Sequence, residues 1–329
     1  FVINQQQLLD LPQGADAPFS QVLLRAPGVA EDSAANGDLH VRGEHGNLQY
    51  RINDVLLPEG ISGFGLELDP RFVGSLQLIT GSLPAQYGFR TAGIVDIQTK
   101  SGALDPGGGV SVYGGSFDTV RPSLEAGSTV GNSSWFLDAT YDHNDLGIEN
   151  PTSASRAIHD TTDQGRLFSY FSRILDHDSR VSVMLSASDS SYQVPNTPGL
   201  AAGTSPDGNP WLPGSFDSAR LDENQKEQNY FGVITYQKTA GTLSYQLSAL
   251  ARASSVHFTP DPVGDLYFNG VASDVQRRLH SWGLQGDASY ARRDGHTLRF
   301  GAMLLDESVA ADSTTTVFPV DANGDASGP

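Results

Sequence analysis

Between residues 133 and 142, SSWFLDATYD, apolar residues take every second position: Trp135, Leu137, Ala139 and Tyr141 alternate with Phe136, Asp138, Thr140 and Asp142. A period of two predicts a strand with one dry face. The pattern returns where Val181, Val183, Leu185 and Ala187 oppose Ser182, Met184, Ser186 and Ser188. It returns again where Leu243, Tyr245, Leu247, Ala249 and Ala251 oppose Ser244, Gln246, Ser248, Leu250 and Arg252, and where Leu298, Phe300, Ala302 and Leu304 oppose Thr297, Arg299, Gly301 and Met303. These stretches are near the ~9 to 11 residues that a tilted strand needs to cross a bilayer. Connectors sort by length: tight turns at 130–133, 176–178, 239–241 and 293–295, with long polar loops at about 147–160, 194–224, 259–273 and from near 310. Short turns at one end and long loops at the other characterise an outer-membrane barrel. Alternation by itself also suits a soluble sandwich or propeller.

The first 104 residues have a different rhythm. FSQVLLRAPGV (19–29) sets Phe19, Val22 and Leu23 at helical spacing and stops at Pro27-Gly28, which predicts a short helix. LHVRG (39–43) and LQYRINDVLLP (48–58) read as strands joined by a turn at 44–47, most simply one hairpin. SLQLITG (75–81) and the β-branched run at 94–99 are further strands, the latter fed by a compact Gly-rich loop. The expected organisation is a small mixed α/β unit over 1–104 and a β unit over 105–329, with the Gly-rich joint at 105–109 read as a linker.

Composition narrows the function classes. Thirty-six glycines and 18 prolines in 329 residues suit a turn-rich β protein. No run approaches the roughly 18 to 20 apolar residues of a membrane helix, which excludes helical spanning but not a barrel. With 38 acidic against 20 basic residues the net charge is -18, so nucleic acid is not an expected partner. The lack of cysteine removes disulfides and thiolate metal sites. There is no G-x-S-x-G elbow, H-E-x-x-H helix or P-loop, and the eight histidines are scattered, so neither an enzyme nor a cofactor is expected. Asp321, Asn323 and Asp325 partly copy a calcium loop, but Ala326 stands where the motif wants Gly, so no metal site is expected there. The chain opens on Phe1 rather than Met, and any signal peptide is expected outside it.

Three segments of the first block, LLRAPGV (23–29), VRGEHGNLQYRINDVLLP (41–58) and ITGSLPAQYGFRTAGIVDIQTKSG (79–102), resemble in order and spacing the plug domain of TonB-dependent outer-membrane receptors. The barrel-like block follows where that family places its barrel. The resemblance implies a mainly β fold, a plug over 1–104 followed by the N-terminal portion of a 22-stranded transmembrane barrel over 105–329. It also implies the outer membrane of a Gram-negative bacterium, lipid and the TonB-ExbB-ExbD complex as partners, and import of a scarce ligand such as a siderophore, cobalamin, metal complex or glycan. About nine strands cannot close a barrel around a plug, so the chain is expected to be a fragment.

Within that frame, the lipid face should carry Trp135, Leu137, Tyr141, Leu185, Tyr245, Leu247, Phe300 and Leu304. Arg42, Arg51 and Arg90 are candidates for docking plug to barrel through carboxylates such as Asp138 and Asp142; the alternative is that they cap loops in solvent. The plug loops at 31–38, 44–47 and 57–70 are the expected extracellular apices, and His45, Asn47, Glu59 and Phe64 the candidate ligand contacts. The plainer reading has Phe64 packed on the barrel wall and His45 in a turn. Two function classes stay open: a transporter, and a surface binding or adhesion protein without active transport.

Overall fold

The computed structural model describes residues 1–31, 39–45, 48–64, 68–83, 87–88, 92–204, 208, 210–212, 214–292 and 295–318. The calcium-like stretch from Asp321 lies outside them. The first unit contains β1 (Val2–Asn4), α1 (Gln5–Leu9), α2 (Phe19–Leu23), β2 (Val29–Glu31), β3 (Leu39–Val41), β4 (Glu44–His45), β5 (Leu48–Ile52), β6 (Val55–Leu56), β7 (Val73–Ile79) and β8 (Gly93–Thr99). Its main sheet runs β1-β7-β8-β5-β6, with β5 and β8 parallel, and β2-β3-β4 form a second small sheet. Asn4 caps α1 in a reciprocal box with Gln7. The helix predicted from residue 19 forms, but over five residues only, burying Phe19, Val22 and Leu23.

The expected hairpin over 39–58 does not form. Arg42 and Gly43 both have positive φ, 53° and 85°, so the chain reverses there and Val41 faces Glu44. Two successive positive-φ residues are the tight reversal whose twist matches paired strands. A second such reversal at Asn53 and Asp54, φ 50° and 68°, splits the 48–58 run into β5 and β6. β3 and β5 therefore lie in different sheets.

The second unit is one antiparallel sheet of nine strands in sequence order: β9 (Gly107–Gly114), β10 (Val120–Val130), β11 (Ser133–Asn144), β12 (Thr162–Asp176), β13 (Ser179–Gln193), β14 (Asn224–Ala240), β15 (Leu243–Thr259), β16 (Val271–Ala291) and β17 (Thr297–Val317). A short helix, α3 (Gly264–Asn269), interrupts one long connection. β9 and β17 are the two edges of the sheet. Two boundaries differ from expectation. Gly107–109 is paired strand rather than linker, because at Gly108 a Cβ would lie 2.5 Å from the Glu125 carbonyl oxygen and only glycine permits that approach. The polar stretch beyond 310 continues as strand, paired with β16 up to Val317. Polarity on both faces looks like a loop in sequence, while the neighbouring strand still satisfies its peptide groups.

Polarity across the sheet is inverted relative to a soluble domain. Trp135, Tyr141, Leu185, Leu247, Phe300 and Leu304 are all exposed on the outer face. The inner face buries Ser134, Asp138, Thr140, Asp142, Ser188, Gln246 and Ser248 among others. Outward aromatic residues form two rows, Trp135, Tyr236, Tyr245 and Tyr290 toward the short turns and Tyr141, Tyr230 and Trp282 toward the long loops, as in the girdles that bound a bilayer. The inner face is not uniformly polar. Phe136, Phe168, Tyr170, Met184, Phe231, Val233 and Leu250 form an apolar patch that joins the plug core of Ile3, Leu23, Phe72, Leu76, Val95 and Ile97. At its centre Phe72 stacks on Phe168, ring centroids 4.2 Å apart and 16° from parallel. Each such fully buried side chain is worth roughly 1.5–3 kcal/mol.

Gly102 marks the passage from plug to sheet: a Cβ there would lie 2.1 Å from the Trp135 carbonyl oxygen and 2.3 Å from that of Ser128. Gly102→Ala should therefore displace this crossing and lower the thermal unfolding midpoint measured in detergent micelles. Leu185→Arg, on the outer face, should cost about 2–4 kcal/mol in folding into lipid vesicles, the range for a cation at the bilayer midplane; Ser186→Arg, one position on, should not incur that lipid penalty.

Candidate functional site

The plug strand β6 does not end in a loop standing free in the lumen. From Asn53 to Phe64 the chain climbs the wall formed by β14, β15 and β16, and side chains of that wall take hold of its main chain. Near the short-turn end Gln246 Nε2 donates to Asn53 O at 3.5 Å and Gln285 Nε2 to Asp54 O at 3.1 Å, while Gln285 Oε1 accepts from Leu56 N at 3.0 Å. Higher up, Arg252 donates to the Pro58 carbonyl and to Asn229 Oδ1, and Ser254 Oγ accepts from Ile61 N at 2.9 Å. At the loop end the Glu227 carboxylate accepts from Ser62 Oγ (3.1 Å), Gly63 N (2.9 Å), Phe64 N (2.8 Å) and Gln225 Nε2 (2.6 Å). A Cβ at Gly63 would fall 2.4 Å from Gln225 Nε2, so a larger residue there would have to push the Gln225 amide aside. The tight reversal at the foot of this climb is tied to β8: Asn53 Nδ2 donates to Thr99 Oγ1 and Asn53 Oδ1 accepts from Thr99 N.

A second set of contacts is ionic. Arg71 of the plug pairs with Asp16 at 2.6 Å; Arg121 of β10 pairs with Asp142 at 2.5 Å and reaches Asp16 at 4.0 Å. Arg166 of β12 lies 3.4 Å from Asp69 and 3.9 Å from Asp142, and Lys100 lies 2.8 Å from Glu125. Asp69 also accepts from Arg71 N, capping the short turn Pro70–Phe72 that presents Phe72 to the wall. The plug and wall thus exchange charges in both directions around the apolar patch.

Phe64 lies edge-on to Tyr192 of β13, centroids 5.7 Å apart, so its ring rests on the barrel wall at the loop end. Glu59 is an exposed residue between Pro58 and Ile61. The backbone of His45 pairs with His40; Asn47, Arg90 and the side chain of His45 lie outside the described residues. Arg51 stays within the plug, donating to the Asp54 carbonyl and lying 5.5 Å from the Tyr87 ring centroid. Arg42 is exposed in its turn and joins no ion pair among the described residues. The charged contacts between plug and wall run through Lys100, Arg121 and Arg166, which the motif reading did not single out. For the residues that grip the main chain a signal was available in part: Arg252 already sat in sequence on the face opposite the apolar residues of β15. Below this, at the short-turn end, a cavity of about 1390 Å³ opens between plug and sheet, lined by Gln49, Arg51 and Tyr87 on one side and Arg180, Gln237 and Gln246 on the other.

No protein-family model and no curated protein matches the sequence. Solved structures do match. The unliganded ferric citrate transporter FecA superimposes with a TM-score of 0.71 at 15% identity, over 96% of this chain and 48% of that one. The copper transporter OprC gives 0.69 at 14% identity, over 99% and 48%. The siderophore receptor PirA from Pseudomonas aeruginosa gives 0.64 at 15% identity, over 96% and 50%. The chain spans about half the length of the solved structures it matches. At these identities the likeness is one of fold: the chain has the fold of a TonB-dependent outer-membrane receptor, a plug set against part of a β-barrel.

Proposed function

We propose that the protein is an outer-membrane receptor that imports a scarce small ligand, a siderophore, cobalamin, metal complex or glycan, with energy supplied through the TonB-ExbB-ExbD complex. The observation that carries this reading is how the plug is attached. Among the described residues its sheets share no strand pairing with the nine-stranded wall; it is held by side chains that grip its main chain, and such contacts can be released without unravelling the barrel ladder. A plug that only closed a pore would gain more from continuous pairing. The neighbours add support, since they are a ferric citrate transporter, a copper transporter and a siderophore receptor.

We assign ligand contact to the apical loops, with His45, Asn47, Glu59 and Phe64 as the contacting residues, and we keep Arg90 as the docking residue; Arg51 bonds within the plug and Arg42 stands exposed in its turn, so neither of these two carries the docking by charge. The domain limits 1–104 and 105–329 belong to the same reading. In the full-length protein, replacing His45, Asn47, Glu59 and Phe64 together by Ala should weaken ligand binding at least tenfold, a change of about 1.4 kcal/mol, while detergent-resistant folding is kept. Unchanged affinity in a correctly inserted protein removes the site from these loops. Uptake that continues after the inner-membrane energy source is collapsed would instead favour binding without active transport.

The grip of Glu227 gives an independent check. Glu227→Ala leaves the N–H groups of Gly63 and Phe64 without their acceptor, at about 1–3 kcal/mol for each buried group left unpaired. Proteolysis within 57–70 should accelerate in that variant and much less in Glu227→Gln, whose amide oxygen still accepts.

A further inference from the structure

Three long connections, 145–161, 194–223 and 260–270, meet at the loop end of the wall. The first is tied to the second along its main chain: Asn196 N donates to Ile158 O at 2.9 Å, Gln193 N to Thr161 O at 3.0 Å, and Thr161 N to Gln193 Oε1 at 3.0 Å. Between these ties stands His159. Its φ of 58° is uncommon for a residue with a Cβ, and its side chain is only 13% exposed. Nδ1 lies 3.0 Å from Val194 O and Nε2 lies 3.0 Å from Asp222 Oδ1. One ring therefore spans from just beyond β13 to just before β14. Val194 is two positions past Tyr192, on which Phe64 of the plug rests, so the junction stands beside the apical segment.

A carbonyl oxygen and an ionised carboxylate only accept, so both ring nitrogens must carry hydrogen and the ring in this junction is the imidazolium. Asp222 is ionised there, because hydrogen bonds from Asn224 Nδ2 and then from His159 hold its carboxyl below the usual carboxylate range. A neutral ring has one N–H. Whichever acceptor it kept, its bare nitrogen would face the lone pairs of the other oxygen. The neighbouring charges do not replace the ring. Arg156, on the same connection, is directed to Asp118 at 3.0 Å, and among the described residues Asp222 joins no second ion pair. Asp160, next to the ring, accepts from Ile148 N, and Asp145 accepts from Thr161 Oγ1. From the other two connections, Asp261 accepts from Asp222 N, the Glu223 carbonyl accepts from Val194 N, and Arg220 closes the turn Ser218–Arg220.

We propose that His159 is a proton-operated latch at the mouth: with both ring nitrogens protonated it pins the 145–161 connection to Val194 and Asp222, and loss of one proton frees that connection from the rim. The docked form binds the proton more tightly than the released form. Docking is therefore favoured at low pH and weakens as pH rises through the range in which histidine loses its charge. Asp222 acts with the opposite sign. Its carboxyl is held down in the docked form, so it supports docking above the ordinary carboxylate range and withdraws that support as pH falls through it. The latch is complete between these limits. Burial pushes the adjoining Asp160 carboxyl up to about 6, so this group also favours docking at low pH and has to be separated from the ring by experiment.

Residues 1–329 contain no cysteine, so a pair of spin labels can be placed on Ser153→Cys and Ala201→Cys, two exposed positions on the connections that the latch joins. In the full-length protein in detergent micelles, pulsed electron resonance should give a short, narrow label distance at about pH 5.5 and a longer, broader one at about pH 8.5, on either side of histidine titration. The released-to-docked ratio should rise about tenfold, the effect of losing one hydrogen bond to a charged group. His159→Ala should show the longer distance at both pH values. Asp222→Asn should keep the short one at both, because its amide donates to the bare Nε2 of a neutral ring whose Nδ1–H stays on Val194 O. A pH-independent distance in the parent overturns the latch, and so does an Asp222→Asn variant that releases as the parent does. The same transition in His159→Ala also overturns it, by assigning the proton to Asp160.

Discussion

A peptide group taken out of water must find a partner, and this requirement organises both halves of the protein. In the wall it is met by strand pairing from β9 to β17, each strand long enough to satisfy its neighbour across the apolar band. Along residues 53–64 the solution is different. Here the chain leaves the plug sheet, and lumen side chains take the role of a missing strand: Gln246, Gln285, Arg252, Ser254 and Glu227 in ascending order. Strand periodicity makes this possible, since every second residue of three adjacent strands faces the lumen and offers one polar group per step. A plug held this way has a defined height and orientation without sharing a ladder with its barrel.

The same periodicity explains why the lumen face is mixed. Water or a polar plug surface calls for Ser, Thr, Asp and Gln, and most buried inner positions carry them. Where the plug core itself meets the wall, inward positions turn apolar, with Phe72 against Phe168 at the centre. Around this patch the pairs that cross from wall to plug, Arg121 with Asp16, Arg166 with Asp69 and Glu125 with Lys100, fix how the plug is turned. Buried pairs of this kind add little net stability once desolvation is counted, but an orientation that separated them would leave charges uncompensated. The apolar patch supplies adhesion and the charges supply register.

At the loop end the emphasis shifts from holding the plug to shaping the mouth. Glu227 and Tyr192 receive the apical segment, Glu227 through hydrogen bonds and Tyr192 through ring contact. Above them the long connections dock on one another through aromatic rings and single main-chain hydrogen bonds, Gly203 N to Tyr267 O and Asp222 N to the Asp261 carboxylate, rather than through strands. Such contacts involve few residues and lie outside the ladder, so the mouth can rearrange at much lower cost than the wall.

The wall was legible in the sequence because its rule is local. Period-two alternation marks a strand and its outward face, and connector length marks which end is which, so SSWFLDATYD was enough to place Trp135 outside and Asp138 inside. The strand beyond 310 escaped this rule because both of its faces are polar there, and only pairing with β16 shows it. Inside the plug, local pattern located β7, β8 and the start of α2, yet it joined 39–43 to 48–58 as one hairpin. The reversals at Arg42-Gly43 and Asn53-Asp54 decide otherwise through backbone angles that a hydrophobic pattern does not encode. Least legible of all were the docking contacts. Gln285 and Leu56 are separated by 229 positions, and Glu227 and Gly63 by 164. A single sequence specifies which residues face the lumen, because that follows from a neighbour two positions away; which lumen residue meets which plug residue depends on curvature, stagger and plug height, and only the assembled tertiary structure sets these.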